Sequence, residues 1–199
     1  LAFTRALELD ATRLDARIQR GNASHELRRH ADAIADFDAV LAATPDAAGV
    51  ACNRGNALLE LKRYDEAARA FERVLALDAA YPYALGKRVH AQAMACDWHG
   101  LDALVAQVDA GLAAGRPVIE PFAYSAIAVE PLALRRCAEL FAADQFPPQP
   151  ALVPPGRRRS SGRIRVGYLG GEFRNQATSI LPVELFELHD KRRFEIVAF

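Results

Sequence analysis

Cysteine is scarce. The chain of 199 residues has three, Cys52, Cys96 and Cys137, odd in number and far apart. That spacing makes neither a disulfide framework nor a zinc site, so a reducing, cytoplasmic setting is expected. Charge of one sign is missing too: Lys+Arg and Asp+Glu are 25 each, for a formal net charge of zero. Such a balance gives no broad basic face for nucleic acid. No apolar run is long enough to span a bilayer, and the first residues do not read as a signal peptide. Neither nucleic acid nor a membrane is therefore expected as a partner. The five histidines, His25, His30, His90, His99 and His189, show no spacing of the His-Glu-x-x-His kind, and no metal is expected. Cys96 has no base paired with it in the sequence, which argues against a nucleophile. The single tryptophan, Trp98, is expected in the core. What is abundant is apolar side chain, 51% of the residues, enough for a sizeable core.

The first half repeats. Arg20-Gly21-Asn22-Ala23 recurs as Arg54-Gly55-Asn56-Ala57, an offset of 34, and the same offset joins Ala33 to Ala67, Phe37 to Phe71 and Val40 to Val74. This is the period of the tetratricopeptide repeat, a pair of antiparallel helices, and the sequence resembles that family where small residues are needed. Gly21 and Gly55 allow the two helices of a repeat to approach closely. Ala33 and Ala67 fall at their crossing, and Phe37 and Phe71 are expected to fill the space between neighbouring repeats. Ala67, Phe71, Val74 and Leu75 make the apolar stripe of one helix, and Pro45 falls where a helix must end. Residues 14–47 and 48–81 are read as full repeats. Residues 1–13 are read as the tail of an earlier one, since Phe3 lies 34 before Phe37, so the array is expected to begin upstream. From Pro82 an atypical unit follows, with Val89 at the glycine position, as expected of the end of a solenoid. Repeats thus cover residues 1–98.

Residues 99–143 read as a helical connector. Leu101, Leu104, Val105, Val108 and Leu112 share one stripe of a helix over 101–114, which Gly115 and Pro117 end. Asp97 is placed to cap it. Pro121-Phe122 reads as a break, with shorter helices over 123–129 and 131–143, the second opened by Pro131. Residues 144–162 hold five prolines and Arg157-Arg158-Arg159, and read as an exposed linker. From Arg163, Ile164, Val166 and Tyr168 alternate as in a strand. Gly170-Gly171 permits a tight turn, and Thr178 or Ser179 is placed to cap a helix whose first amides favour an anion. Phe194–Phe199 reads as a second strand, parallel to the first across a right-handed crossover. A nucleotide-sugar or dinucleotide domain begins in this way. Residues 163–199 hold only its start, so the sequence is expected to be a fragment.

Three features occur in order: the repeats, then Cys96-Asp97-Trp98 with Pro121-Phe122, then Gly162–Asn175 reading GRIRVGYLGGEFRN. Together with the ending Leu185–Phe199 they resemble the protein O-linked N-acetylglucosamine transferases and their bacterial SPINDLY-type relatives. The resemblance implies a mostly α fold: a tetratricopeptide-repeat solenoid, then the β-α-β start of a Rossmann-like lobe of a GT-B glycosyltransferase. It implies a full-length enzyme that transfers sugar from a UDP donor, UDP-GlcNAc, to Ser or Thr of a polypeptide held by the repeats. No further cofactor and no metal is implied, and the fragment alone is not expected to be active. The family's Asn-His-Pro-Thr loop corresponds to Asn175-Gln176-Ala177-Thr178. Gln176 at the histidine position can hydrogen-bond a hydroxyl or phosphate oxygen but cannot act as a general base near neutral pH. Thr178 is implied to contact the donor, or to cap the helix. The family lines its inner face with acceptor-binding asparagines; the corresponding residues are Gln19, Asn53 and Lys87, of which Asn53 matches. Asn22 and Asn56 read as structural. The competing reading is a non-catalytic scaffold whose repeats bind a partner, and Gln176 favours it.

Overall fold

Thirty-four residues separate Arg28 from Lys62 and Lys62 from Cys96, and all three take left-handed backbone, with φ of 61°, 58° and 56°. At each of them a helix ends in the same way. The Arg28 amide donates to the His25 carbonyl (2.9 Å) and the Arg29 amide to the Ser24 carbonyl (2.8 Å), and the same two bonds recur at Lys62/Arg63 and Cys96/Asp97. This is the Schellman closure, which satisfies carbonyls that a helix end leaves without partners. Glycine is the usual residue there, because an L side chain in this conformation costs about 1–2 kcal/mol. Here the packing of the two helices on either side enforces the turn.

The computed structural model describes residues 2–148, 162–168 and 183–198, and the chain divides into two units, Leu1–Pro148 and Gln149–Phe199. The first unit is helical: α1 Ala2–Leu9, α2 Leu14–Glu26, α3 His30–Ala43, α4 Ala48–Glu60, α5 Tyr64–Leu77, α6 Ala84–Met94, α7 Leu101–Ala113, α8 Pro121–Ser125 and α9 Pro131–Gln145. The amides of Asp10, Thr44 and Asp78, again 34 apart, close α1, α3 and α5 by donating four residues back, to Ala6, Val40 and Val74. Hence α2/α3 and α4/α5 are equivalent pairs, and α1 ends as α3 and α5 do. The closure at Cys96 gives α6 the same C-terminal turn as α2 and α4, although its side chains differ.

Ala33, Phe37 and Val40 of α3 and Ala67, Phe71 and Val74 of α5 are all buried. A Cβ on Gly21 would lie 2.6 Å from the Phe37 ring, and one on Gly55 2.8 Å from the Phe71 ring. Each phenylalanine therefore rests first on the glycine of its own repeat. It also reaches the next one: Phe37 clusters with Val50 of α4, and Phe71 with Ala84 and Ala91 of α6. Burying one such ring stabilises the fold by about 2–3 kcal/mol.

Ion pairs bind successive repeats on the other side of the helices. Arg54 pairs with Asp38 and Arg88 with Glu72, each reaching the preceding second helix. Arg20 holds the equivalent place, but 34 residues before Asp38 stands Thr4. With no acid there, Arg20 turns to Asp36 of its own repeat and grips it through two bonds of 2.7 and 2.6 Å. Asp36 is only 4% exposed, and this partner, with Arg17 at 3.7 Å, makes its burial tolerable.

The third pair departs from the sequence reading in its contacts. Val89 is buried at the glycine position, and the close approach moves one turn earlier. A Cβ on Gly86 would lie 2.6 Å from the Ile119 backbone, and the Gly86 amide donates to the Val118 carbonyl (2.9 Å). The chain leaving α7 thus packs directly on α6. Ile119, Tyr124 and Cys137 join Val89, Leu104, Val108 and Leu112 in one core. The helix expected over 123–129 is instead α8, Pro121–Ser125. Pro121 opens it rather than breaking the chain, because the first turn needs no amide from it. The Ser125 hydroxyl donates to the Phe122 carbonyl (2.7 Å) where the helix stops. Trp98, expected in the core, is 65% exposed: the turns at Cys96 and Gly100, both with positive φ, carry its loop outward. Asp97 does not cap α7, whose N-cap is Gly100; its carboxylate accepts from the His99 amide (3.1 Å) and folds the loop.

In the second unit β1 Ile164–Tyr168 pairs in parallel with β2 Phe194–Ala198, Ile164 opposite Phe194 and Tyr168 opposite Ala198, and α10 Val183–Leu188 lies between them in the chain. Arg165 and Glu195, opposite one another, form an ion pair of 3.0 Å. Tyr168 donates to His189 Nε2 (3.0 Å), leaving Nδ1 to donate to the Leu185 carbonyl. Among the described residues no helix is long and apolar enough to cross a membrane.

Gly55→Ala tests the close approach. Alanine is the better helix former by about 1 kcal/mol, yet its methyl has to enter a fully buried ring contact, where overpacking costs about 1–3 kcal/mol. Urea unfolding is expected to show a net loss of stability; a gain would mean that the phenyl ring is free to move aside.

Candidate functional site

The first helices of the pairs, α2, α4 and α6, present equivalent residues one turn apart: Gln19 and Asn22, Asn53 and Asn56, Lys87 and His90. In a helix such i and i+3 positions share a face. Across helices they join in a ladder. Asn53 Nδ2 donates to Asn22 Oδ1 (3.0 Å) and Lys87 Nζ to Asn56 Oδ1 (2.9 Å). Both bonds span 31 residues, one repeat less one turn. The lysine bond fixes an orientation by chemistry alone: an ammonium has no acceptor, so Asn56 must offer its oxygen and keep its Nδ2 for another partner.

This ladder runs along two clefts. One, of about 370 Å³, is lined by Asn22, His25, Glu26, Phe37, Asn53 and Asn56. The other, of about 490 Å³, shares His25 and Asn56 with it and continues past Lys87 and His90 to Phe122 on α8. The shared residues make one groove. Its lining carries Lys62 and Lys87 against Glu26, Glu60 and Glu120, so it is polar and holds charges of both signs. Apolar contact is offered by Phe122, 88% exposed, and by Tyr64 and Tyr83. The Tyr83 hydroxyl donates to Asp144 (2.6 Å). Burial, and then this bond, push its pKa up to about 12, while the same bond holds the Asp144 carboxyl below its ordinary value. Chemically, the groove offers amide donors and acceptors at repeating intervals, flanked by aromatic faces. That suits an extended peptide backbone.

Of the residues singled out in the sequence, Asn53 lies on the groove wall with its donor engaged by Asn22. Gln176 and Thr178 lie outside the described residues. Asn22 and Asn56, read as structural, are groove residues as well as rungs of the ladder. Lys87, set aside because it is not asparagine, takes the same donor role as Asn53. The repeat alignment, carried through three residues at a time, contained that signal. Phe122 and Tyr83 were missed because α8 and the turn into α6 lie outside the repeat pattern. The three cysteines are unpaired, Cys52 and Cys137 buried and Cys96 exposed.

The stacked pairs and their groove define an α-helical repeat protein. Residues 1–48 and 18–84 match the family model described as tetratricopeptide repeat. No curated protein matches the chain. Among solved structures it is similar to MamA, at 16% identity and a TM-score of 0.53, covering 72% of this chain and 85% of that one. It is also similar to the Sgt2 TPR domain from Aspergillus fumigatus, at 19% identity and a TM-score of 0.45, covering 73% and 91%. A mutant O-GlcNAc transferase of Thermobaculum terrenum aligns at 24% identity and a TM-score of 0.45, covering 94% of this chain and 38% of that one. The likeness to MamA shows the fold alone.

Tyr83 at the groove supplies a pH test. Its folded pKa of about 12 lies above the ordinary 10.0, so the stability it contributes is whole below pH 10 and is lost as pH rises from about 10 through about 12. Urea unfolding across that window is expected to show a smaller fall for Tyr83→Phe than for the unaltered chain. An equal fall in both would mean that Tyr83 does not hold the bond to Asp144.

Proposed function

We propose that the groove binds polypeptide in extended form, and that the chain is the repeat region and lobe start of a cytoplasmic protein glycosyltransferase. In this reading the complete enzyme transfers N-acetylglucosamine from UDP-GlcNAc to Ser or Thr of the bound polypeptide. The observation that carries the first half is the ladder Asn53–Asn22 and Lys87–Asn56 along the groove wall. Asn53 is the proposed acceptor contact, its oxygen turned to peptide N–H groups, with the Asn56 amide donating to peptide carbonyls. The second half is supported by the order of the sequence features and by the parallel pairing of β1 with β2, the arrangement with which a nucleotide-binding lobe starts. Gln176 and Thr178 are the proposed donor contacts, Gln176 by hydrogen bonding and not by proton transfer. A second reading, a scaffold without catalysis, is favoured by Gln176 itself, which stands where the transferases carry histidine.

Peptides selected from a random unstructured library against the chain should bind it in the groove. Asn53→Ala combined with Lys87→Ala removes two rungs, and at about 0.5–1.5 kcal/mol per hydrogen bond should weaken binding about tenfold in a calorimetric titration. Unchanged affinity would contradict the groove. Transfer of label from UDP-GlcNAc to polypeptide by the full-length protein is expected on the enzyme reading; no label with any of several UDP sugars leaves the scaffold.

A further inference from the structure

Away from the groove, Arg54, Arg69 and Arg73 line a single pocket of about 340 Å³, whose lining includes Asp38, Leu41 and Pro45. It lies where α3, α4 and α5 meet, and shares no residue with the groove. The repeat itself supplies a control for what the fold requires here. Thirty-four residues earlier, Arg54 corresponds to Arg20, Arg69 to Ala35 and Arg73 to Ala39. The first arginine belongs to the architecture, since Arg20, Arg54 and Arg88 all pair with an acid. The other two do not, because the preceding repeat folds with alanine in both places.

Arg69 and Arg73 are exposed, one turn apart on α5, and form no ion pair among the described residues. On the same helix Glu66 is held by Arg63 through bonds of 2.7 and 2.8 Å, and Asp65, one turn before Arg69, lines a different cleft with it. Asp38 answers Arg54. Two guanidinium groups therefore stand in surplus over an apolar floor.

We propose that this pocket docks an acidic polypeptide segment, with carboxylates on Arg69 and Arg73 and an apolar side chain seated on Leu41 and Pro45. Guanidinium groups pair with carboxylates through two parallel bonds, which gives direction as well as attraction. The floor is what selects polypeptide over a nucleic-acid backbone, which needs a wider row of cations and has no apolar side chain to seat. The contact would give the chain a second grip on a protein partner, independent of the groove.

The test is fluorescence anisotropy at low salt with the full chain and a labelled peptide of glutamates flanking a leucine. The peptide is expected to bind, and Arg69→Glu with Arg73→Glu to weaken binding at least about tenfold. Both positions are exposed, so the variant should melt at the unaltered temperature. It should also gain affinity for the same peptide with lysines in place of glutamates, a readout that misfolding would not produce. Asn53→Ala with Lys87→Ala should leave this binding unchanged, which separates failure here from failure of the groove. No binding of the acidic peptide, equal binding by the charge-reversed variant, or tighter binding of a single-stranded oligonucleotide at the same arginines would each overturn the proposal.

Discussion

The contact on which the repeats depend is a phenyl ring laid on a bare α-carbon. Gly21 under Phe37 and Gly55 under Phe71 bring the two helices of each pair so near that a methyl group would not fit. That distance fixes the rotation of each first helix about its axis. With Gly55 turned to its partner helix, Asn53 and Asn56 are carried round to a shared outer face, because they lie one turn apart. The recurrence of the contact after 34 residues then aligns that face in α2 and α4. A ladder of side-chain amides follows from a packing rule that concerns no amide.

The third pair shows what is essential in the arrangement. It has no glycine at the repeated position and no phenylalanine above it, yet α6 ends in the same left-handed closure and places Lys87 in register with Asn56. Gly86 against Ile119 substitutes one close approach for another. The backbone period persists while the side chains that produce it change. Through this change α8 reaches the groove and adds Phe122 to the aromatic side chains that line it.

Much of this was legible in the sequence, because a period of 34 imposed on glycine, alanine and phenylalanine has few physical solutions. The helix pairs and their stripes could be read directly. The turns could not: Arg28, Lys62 and Cys96 carry none of glycine's signature, since tertiary packing and not propensity sets their backbone. Trp98 was misplaced because size and hydrophobicity predict burial only where the chain can turn inward, and the loop after Cys96 turns out. The site was half legible. Asn53 stands out as a candidate by its type, whereas its hydrogen-bond partner Asn22 and its counterpart Lys87 become visible only when neighbouring helices are set side by side. In the second unit the alternation of Ile164, Val166 and Tyr168 foretold β1, whereas Gln176 and Thr178 fall outside the described residues.

The central claim is that the repeat register places side-chain amides where a polypeptide backbone binds. Intermolecular nuclear Overhauser effects from the side-chain amide protons of Asn53 and Asn56 to a bound, isotope-labelled peptide test it most directly. Contacts from both asparagines to backbone protons of the peptide, spaced along an extended chain, are the predicted result. A tightly bound peptide whose protons contact only residues outside the groove would contradict it.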